Sequence, residues 1–560
     1  MTKHLKMVGT LAMLLAAVPA TAQLPEDIVF DGNILWQNKG AGGVAKNYFG
    51  GSGLCGATSY TDSILATVYF THNRVADPLL TDPYNQSSPR WDPMPGSPAI
   101  GGNANSAVVN WPDPWFEKVC YAGAVPPRSS LTPDEDWTTG WTYFNNAGGA
   151  GRTDINYAKP LVTLSGPQPG NVHMVNTNNY LLTGRVSMQR GWTLTIDPGT
   201  VIFGDNAVTS FLVIERGAQI IANGTKEQPI IFTSAKSPGS MAPGDWAGVI
   251  ILGKAICNCA NTAAGDSCAM EGGPGYFGGN DDNDNSGSLR YMRVEYAGFE
   301  LSPNNELNCL TFAGVGRGTT VDYIECMQGS DDTFEWFGGT ANAKHLVSVG
   351  GNDDSLDWQM GYRGFIQFEI VQQWGLFGGD KGIEADNNEF NFNADQRSNP
   401  VVANCTFVGT GPGTGGSGAI HLRRGTAGTI INSIIMGWKN TALRMENAET
   451  FANCAGADPG VYCSPTIDVE PVEQDFLSVA CGPSPTAGQA RISFTLPASS
   501  PTTVQVFDLG GRLVATLADG FYTSGPHSVT WDSSRQAAGT YFYRVSAIGQ
   551  ARVGKIVVTR

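Results

Sequence analysis

The chain has 560 residues and a formal net charge of −16; only 15% of its residues are charged, while 71 are glycine. A negative charge of this size repels nucleic acid and anionic membranes, so neither is expected as a partner. Abundant glycine with few charged residues favours turn-rich β structure over long helices. Acidic residues outnumber basic ones by 50 to 34, so cations are the expected small partners.

Residues 1–22 are predicted to be a secretory signal peptide. Lys3 and Lys6 give a positive start, an apolar stretch follows over residues 8–17, and Ala20, Thr21 and Ala22 form a small-x-small cleavage site. The apolar stretch is shorter than the ~20 residues that a membrane-spanning helix needs, and no later stretch reaches that length. The mature chain is therefore expected outside the cell, without a transmembrane segment.

Residues 23–177 are predicted to form an irregular cap rich in Asn, Pro, Trp and Gly. Within it, Trp137 and Trp141 lie four residues apart with a glycine between them. A turn packed on a hydrophobic surface is the favoured interpretation of this pair, and a sugar-stacking platform is the alternative. The segment is expected to cover one end of the domain that follows.

From residue 178 to residue 447 the sequence changes to short strands separated by turns at regular spacing. The strands are rich in β-branched and aromatic residues, and apolar residues alternate within most of them. One short strand per turn, stacked coil on coil, predicts a parallel β-helix without crossover helices.

An internal repeat with a period of about 22 residues lies within this region, and such a period is the signature of a solenoid. In a solenoid, residues aligned by the repeat stack about 4.8 Å apart in successive coils. The following segments and residues align at this offset: 320–325 with 342–347, Asp331 with Asp353, Asp332 with Asp354, Glu335 with Asp357, and Trp336 with Trp358.

The repeat stacks carboxylates into one column, and such groups cannot all stay ionised without a cation, a shared proton or a basic neighbour. The favoured interpretation is structural: aspartates that accept backbone N–H groups at turns. The second is a Ca²⁺ site with oxygen ligands from Asp331, Asp332, Asp353 and Asp354. Residues 280–287 are another candidate calcium-binding loop, in which Asp281, Asp282 and Asp284 would be the ligands. The alternative is that this loop is flexible and solvated and binds no ion.

The third interpretation of the column is catalysis on a polysaccharide. Glycoside hydrolysis needs two carboxylates, and a calcium-dependent lyase needs a base beside the bound cation. The predicted catalytic residues are Asp357, Glu384, Asp386, His421 and Arg423.

Three residues, Trp336, Trp358 and Lys381, are predicted to contact a ligand. Lys381 lies in a neighbouring coil, as does Arg363, and either side chain is a candidate base. Trp336 and Trp358 are sugar platforms if they face outward and a stacked ladder if they face inward. No nucleophile elbow, P-loop, HExxH motif or dinucleotide fingerprint is present in the sequence.

Eleven cysteines in an exported chain predict disulfides, and the odd number leaves at least one thiol free or paired with another chain. The cluster of Cys257, Cys259 and Cys268 is also compatible with a metal site, although no histidine lies near it. The candidate disulfide pairs are Cys454 with Cys463, Cys309 with Cys326, and Cys55 with Cys120.

After a linker over residues 448–481, residues 482–560 are predicted to form a separate small β-sandwich. Six strands with alternating apolar residues follow one another at short spacing. The fold class expected for the whole chain is all-β.

The phrases LTIDPGTVI, GDWAGVIILGKA, LRYMRVEYAG and GIEADNN occur in order between residues 178 and 447. Together they resemble a family of secreted bacterial right-handed parallel β-helix proteins, whose wider fold relatives include pectate lyases, alginate lyases and polygalacturonases. The resemblance implies the fold and export rather than an activity. In such proteins phrases like DPLL, PGSPAI and WTTGW usually follow the helix. Here they precede it, which indicates a permuted order or a truncated second unit.

The C-terminal phrases ARISFTLP, VQVFDLGGRLVATL, GPHSVTWD and AGTYFYRV resemble the C-terminal sorting domain of type IX secretion substrates. They are also similar to the immunoglobulin-like domain of flagellar hook-capping proteins. The position at the C-terminus and the signal peptide favour the sorting domain. This resemblance implies that the type IX secretion machinery exports the chain to the cell surface or the medium.

Two functions remain open on the sequence. The favoured one is a non-catalytic surface protein with calcium-stabilised turns that binds glycans or neighbouring surface components. The alternative is a polysaccharide lyase or glycoside hydrolase acting in the acidic groove of the β-helix.

Overall fold

The computed structural model describes residues 28–38, 48–50, 73–100, 113–128, 136–259, 267–302, 305–375, 379–411, 418–439, 441–453, 478–482, 486, 488–496, 499–508, 512–523, 525–547 and 550–559. The predicted signal peptide, Cys55 and the Cys454–Cys463 pair lie outside these residues. The chain divides into two compact units, Met1–Ser464 and Pro465–Arg560, and each is described by itself. No helix in the described part of the chain is long and apolar enough to cross a membrane.

The first unit is built from 33 described strands and one short helix. In chain order they are β1 (Ile28–Asp31), β2 (Ile34–Trp36), β3 (Tyr48–Gly50), β4 (Arg74–Val75), β5 (Leu80–Asp82), β6 (Arg90–Pro93), β7 (Leu161–Gln168), β8 (Val172–Met174), β9 (Asn179–Met188), β10 (Thr193–Ile196), β11 (Val201–Gly204), β12 (Phe211–Ile214), β13 (Gln219–Asn223), β14 (Ile230–Ser234), β15 (Val249–Leu252), β16 (Cys268–Ala269), β17 (Tyr276–Phe277), β18 (Gly287–Glu295), β19 (Phe299–Ser302), β20 (Asn305–Leu307), β21 (Leu310–Ala313), β22 (Thr320–Met327), β23 (Phe334–Phe337), β24 (Asn342–Val349), β25 (Leu356–Gln359), β26 (Phe365–Gln372), β27 (Lys381–Ala385), β28 (Val401–Ala403), β29 (Thr406–Val408), β30 (Gly418–Leu422), β31 (Gly428–Ile431), β32 (Ile434–Met436), β33 (Leu443–Met445) and the helix α1 (Ala448–Ala452).

Parallel pairing stacks most of these strands into three sheets around one interior, and three antiparallel pairs, β5–β6, β16–β17 and β19–β20, lie outside them. The first sheet runs from β8 through β10, β13 and the first halves of β18, β22, β24 and β26 to β28 and β31. The second runs from the first half of β9 through β11, β14 and the second halves of β18, β22, β24 and β26 to β29 and β32. The third runs from the second half of β9 through β12, β15, β21, β23, β25 and β27 to β30 and β33. The predicted parallel β-helix is confirmed.

Alternation along each strand decides which side chains fill the interior. On β23, Phe334 and Trp336 belong to the main buried core, while Glu335 between them points to the other side of the sheet. Interior rings stack from coil to coil: Trp336 lies 5.4 Å from Phe312 and 5.3 Å from Tyr362 between ring centroids. Each interior side chain is thus covered by the coils on both sides of it, and the core is continuous along the solenoid.

The N-terminal strands complete the far end of the solenoid. β1 pairs with β31, β2 with β32 and β3 with β33, all parallel. The buried side chain of Asn33 donates to the carbonyl of Ile430 and accepts the N–H of Ser433. The prediction of an irregular cap over residues 23–177 is therefore wrong for these strands, and also for β7 and β8, which begin the solenoid before residue 178. β1, β2, β3 and β8 have only three or four residues each, which is too short for the sequence pattern to separate them from the irregular residues around them.

The described residues between 76 and 158, called the strap below, pack on the outer face of the second sheet and, around Phe116, on that of the first. Gln372 on β26 donates a hydrogen bond to the carbonyl of Pro83, and Glu325 on β22 accepts the N–H of Tyr143. Trp141 is buried against apolar side chains on the outer face of this sheet, and its indole N–H donates to the carbonyl of Trp137 at 2.6 Å. The packed-turn interpretation of these two tryptophans is confirmed.

A buried ionic network anchors the strap at the N-terminal end of the solenoid. Arg152 lies 2.8 Å from Glu295 on β18, and both side chains are fully buried. Arg293 pairs with the same glutamate at 3.2 Å and also with Asp154 of the strap. The guanidinium carbons of Arg152 and Arg293 lie 4.5 Å and 5.2 Å from the centroid of the Tyr143 ring.

Glu369 places a carboxyl group in the solenoid interior, on the second-sheet half of β26. Its side chain is 0% exposed, and neither carboxyl oxygen has a hydrogen-bond partner among the described residues. Burial raises the pKa of Glu369 well above its usual range. The folded chain therefore keeps a proton that the unfolded chain releases. The contribution of Glu369 to the free energy of unfolding is therefore present below the pKa that this group has in the unfolded chain. It is lost as the pH rises through the pKa that the group has in the folded chain.

Replacing Glu369 by leucine is expected to raise the free energy of unfolding by about 1–3 kcal/mol at pH 7, because leucine fills the site without an unpaired polar group. Denaturant unfolding of wild type and variant at pH 5 and pH 8 measures the effect, and the gain should be larger at pH 8. The matched control Glu300→Leu, at an exposed position, should change stability by no more than about 0.5 kcal/mol. A Glu369→Leu chain that is less stable than wild type at pH 8 contradicts this account.

The second unit is the predicted small β-sandwich. Its antiparallel strands form two sheets whose inward side chains share one core, in which Ile492, Val504 and Trp531 are buried. One sheet has the order β34-β35-β38 and the other β37-β36-β39-β40. The strands are β34 (Ser478–Gly482), β35 (Gln489–Leu496), β36 (Ser500–Asp508), β37 (Leu513–Tyr522), β38 (Gly525–Asp532), β39 (Gly539–Ala547) and β40 (Gln550–Val558).

Candidate functional site

The outer surface of the third sheet carries a column of charged residues in register. The column follows from the strand alternation, which points every second side chain outward at the same position in each coil. From β23 to β33 its members are Glu335, Asp357, Glu384, His421 and Arg444. The turns that precede these strands add further carboxylates, namely Asp331, Asp332, Asp353, Asp354 and Asp380. These ten residues are called the acidic face below.

Two of the turn aspartates connect successive coils. Asp332 accepts the backbone N–H of Asp354 at 3.0 Å, and Asp354 accepts the backbone N–H of Lys381 at 2.7 Å. This is the structural role that the sequence favoured for the stacked aspartates. It uses one oxygen of each carboxylate, and the second oxygen of Asp354 lies 3.4 Å from Lys381 Nζ.

The carboxylates of the acidic face lie close enough to share cations. Four groups of three carboxylates have ligand oxygens within 4.8 Å of one another, and Asp357 belongs to two of these groups. Its Oδ1 atom is buried and has no hydrogen-bond partner among the described residues. The groups are Asp331, Asp332 and Asp353; Asp332, Glu335 and Asp357; Asp353, Asp354 and Asp380; and Asp354, Asp357 and Glu384.

Crowding makes this surface costly to ionise. Burial, and then repulsion by Asp353 and other carboxylates, raises the pKa of Asp331 to about 8. Burial is also the largest cause that raises the pKa of Asp332, Glu335 and Asp357 well above the usual range. Without a cation, burial and mutual repulsion therefore favour the protonated form of these groups.

Glu384 marks the point where the column changes from acidic to mixed charge. Burial alone would raise its pKa, but the His421 ring 3.7 Å away and the charges of Lys381 and Arg423 lower it to about 2. Lys381 Nζ lies 2.7 Å from Glu384 Oε1 and 3.4 Å from Asp354 Oδ2. Glu384 is therefore an ionised carboxylate held by cations.

Three other predicted catalytic residues, Asp386, His421 and Arg423, are brought together at the same end of the column, and each is engaged by a neighbour. Arg423 Nε donates to Asp386 at 2.8 Å, and the same guanidinium also contacts Glu384. His421 Nε2 lies 3.0 Å from Glu446 Oε2. Attraction by Asp386 and then by Glu384 raises the pKa of Arg423 despite its burial, so this group does not release a proton near neutral pH.

Two carboxylates of this region were not found from the sequence. Glu271 lies on the β16–β17 hairpin outside the repeat and accepts the N–H of Glu306 at 2.8 Å, and burial is the main cause that raises its pKa to about 7. Asp380 follows Asp353 in the next coil, where its N–H donates to the carbonyl of Asp353 at 3.2 Å, but the turn between them is longer than the repeat. The repeat could have indicated Asp380 if insertions at turns were allowed, whereas nothing in the sequence pattern indicates Glu271.

The prediction that Trp336 and Trp358 contact a ligand is wrong. Both indoles point into the solenoid, where they are 1% and 0% exposed. Trp358 donates its indole N–H to the hydroxyl of Thr426 at 3.1 Å. The alternation that turns Glu335 and Asp357 outward turns the adjacent tryptophans inward.

The predicted calcium loop at residues 280–287 is held by basic side chains instead. Asp282 receives both Nη atoms of Arg363 at 3.1 Å, and Asp284 receives the backbone N–H and the ammonium group of Lys254. Asp281 is exposed and accepts a backbone N–H within its own turn. Among the described residues no group of three possible metal ligands lies in this loop, so the contacts favour ion pairing over calcium binding there, and Arg363 is the ion-pair partner of Asp282.

The cysteine predictions are corrected in two places. Cys259 and Cys268 form a disulfide, so the alternative of a metal cluster is wrong. Cys309 and Cys326 are free buried thiols and Cys120 is a free exposed thiol, so neither predicted pair that includes them is formed. Spacing in the sequence did not indicate that both buried thiols are core residues of the solenoid.

Comparison with known proteins gives two family matches. A solved structure, the enzymatically active domain of tailspike protein 2 from bacteriophage CBA120, aligns over 68% of this chain and 72% of that chain at 10% identity, with a TM-score of 0.22. No curated protein matches the sequence. Residues 482–559 match the secretion system C-terminal sorting domain, so type IX secretion exports the chain, which is secreted or attached to the cell surface. Residues 166–473, more than half of the chain, match the pectate-lyase-like beta-helix domain, and the chain therefore belongs to that family.

Proposed function

We propose that the chain is a non-catalytic glycan-binding protein on the cell surface, and that Ca²⁺ held on the acidic face mediates the binding. The observation that carries this proposal is the set of overlapping carboxylate triads on the outer surface of the third sheet, centred on Asp357. A rigid sheet keeps the triads at fixed spacing, which is what a preorganised cation site requires.

The chemistry of the donors favours calcium. Ca²⁺ takes six to eight oxygen ligands, mostly carboxylate and carbonyl oxygens, and tolerates irregular geometry. The triads offer carboxylate oxygens alone, without a thiol or an imidazole among their members. A divalent cation would also stabilise the ionised forms of Asp331, Glu335 and Asp357, which burial disfavours, and so would relieve the repulsion on this surface.

A glycan ligand follows from where the cation would lie. Three carboxylates leave several coordination positions of Ca²⁺ to water or to a ligand, and vicinal hydroxyl groups of a sugar are suitable oxygen donors. Asp331 and Asp357 are only partly buried, so this side of the sheet is open to a ligand from outside. The sorting domain brings this surface to the exterior of the cell, where glycans are available.

The catalytic alternative, a polysaccharide lyase or hydrolase, has less support. A lyase needs a neutral base, yet Asp354 and Glu384 raise the pKa of Lys381 despite its burial, and Arg423 is also held protonated. The family's description as pectate-lyase-like concerns the fold, and a shared fold does not carry an activity with it.

Co-sedimentation with insoluble polysaccharides, in calcium or in chelator, tests the proposal. Wild type is expected in the pellet with at least one polysaccharide in calcium and in the supernatant with chelator. The Asp357→Asn variant should stay in the supernatant, whereas the exposed control Asp395→Asn should behave as wild type. New reducing ends or unsaturated uronate absorbance, lost in Glu384→Gln, would replace this proposal by the catalytic one.

A further inference from the structure

The coil that follows β31 and β32 is supplied by residues from the opposite end of the first unit's sequence. The N–H of Ser433 is bound by Asn33 and the N–H of Trp438 by Asn38, each across a separation of 400 residues. The same offset relates the strands, since Ile28 pairs with Gly428 and Ile34 with Ile434. Residues 28–38 are called the donor segment below, and β31 with β32 the acceptor edge.

The donor segment is a full structural part of the solenoid. Phe30 and Leu35 are buried in the main core at 1% and 0% exposure. Asn33 and Asn38 are fully buried, and each both donates a hydrogen bond to a backbone carbonyl of the preceding coil and accepts a backbone N–H from it. Without this segment, the acceptor edge would expose apolar core side chains and unpaired N–H groups. Pairing of the edge with a complementary strand is therefore strongly favourable.

We propose that the acceptor edge is also an interface between two copies of this chain, each copy donating residues 28–38 to β31 and β32 of the other. The contacts that hold the donor segment are the same whichever copy supplies it, which is the condition for exchange of an element between protomers. During export the donor segment precedes its acceptor edge by most of the length of the chain. It therefore has no acceptor edge in its own chain until the 400 residues between them have followed, and over that interval it can pair with the edge of a neighbouring copy. The partner is thus a second copy of the same chain, and the interaction is independent of the acidic face.

Cysteine cross-linking tests this exchange in the full chain. Val29 and Thr429 are parallel neighbours and both are partly exposed, so cysteines at these positions are placed to form a disulfide. One chain carries Val29→Cys and another carries Thr429→Cys, both with Cys120→Ser to remove the exposed thiol. The two chains are unfolded together, refolded at two concentrations tenfold apart, and oxidised.

The expected product is a 29–429 disulfide between chains, whose ratio to monomer rises about tenfold with the tenfold higher concentration. A chain with both cysteines should also form the cross-link within one molecule at the lower concentration. The control pair Thr195→Cys and Ile221→Cys has the same parallel geometry within adjacent coils and should give only monomer when both are in one chain. Absence of the disulfide between chains at both concentrations overturns the proposal. So does absence of the internal cross-link, because the donor segment would then not occupy the edge.

Discussion

Replacing Arg152 by methionine is expected to lower the free energy of unfolding by about 3–5 kcal/mol, because it leaves a buried carboxylate without its closest cation. Glu295 is fully buried, and Arg152 approaches it at 2.8 Å, while Arg293 is shared between Glu295 and Asp154. The loss also detaches the end of the strap, because Arg152 is the strap's cation in this network. Denaturant unfolding monitored by tryptophan fluorescence measures the change.

Two variants make this prediction specific. Arg185→Met removes an exposed partner of Glu215 on the same solenoid and should cost no more than about 1 kcal/mol. Combining Arg152→Met with Glu295→Met should recover much of the lost stability, since two apolar side chains replace a buried ion pair at little cost. An Arg152→Met chain as stable as the Arg185→Met chain would show that the network does not hold the strap.

With divalent cations removed, the free energy of unfolding is expected to fall by about 3–6 kcal/mol between pH 5 and pH 8. Burial and neighbouring carboxylates raise the pKa of Asp331 from 3.8 to about 8, and burial raises that of Glu271 from 4.5 to about 7. Over this interval the folded chain binds protons that the unfolded chain has released. The stabilisation from these retained protons is therefore fully present below about pH 4, and it is lost as the pH rises through the pKa values that Asp331 and Glu271 have in the folded chain.

Thermal or denaturant unfolding in chelator between pH 5 and pH 8 measures the slope of the free energy of unfolding against pH. Saturating calcium should flatten it, because the cation takes the place of the retained protons. Asp331→Asn should reduce the slope in chelator, and the exposed control Asp395→Asn should leave it unchanged. A stability that rises with pH in chelator is incompatible with carboxylates that are crowded and uncompensated.

The repeat predicted much of the site because the period of a solenoid fixes which residues stack. Glu335 and Asp357 are register neighbours on the third sheet, as their alignment in the repeat predicts. The same offset also aligned Trp336 with Trp358, but a period alone does not say which face is inside. Only the alternation along β23 and β25 decides that, and it directs the indoles into the core.

Other features were beyond the sequence because they depend on contacts between distant segments. β1 pairs with β31 from the opposite end of the first unit's sequence, and no local pattern marks a short strand as the last coil of a solenoid. The ion pairs that engage Asp282 and Asp284 come from Arg363 and Lys254, which lie 81 and 30 residues away in the chain. An acidic sequence motif therefore resembles a calcium loop until its basic partners are known.

Calorimetric titration of the full chain with Ca²⁺ at pH 7 tests most directly whether the acidic face holds a cation. Wild type is expected to show saturable binding, and Asp357→Asn, which removes a member of two triads, should weaken that binding at least about tenfold. Asp281→Asn, in the loop held by basic side chains, should bind as wild type does. Absence of saturable binding to wild type, or equal binding to wild type and Asp357→Asn, would contradict the cation-binding role of the acidic face.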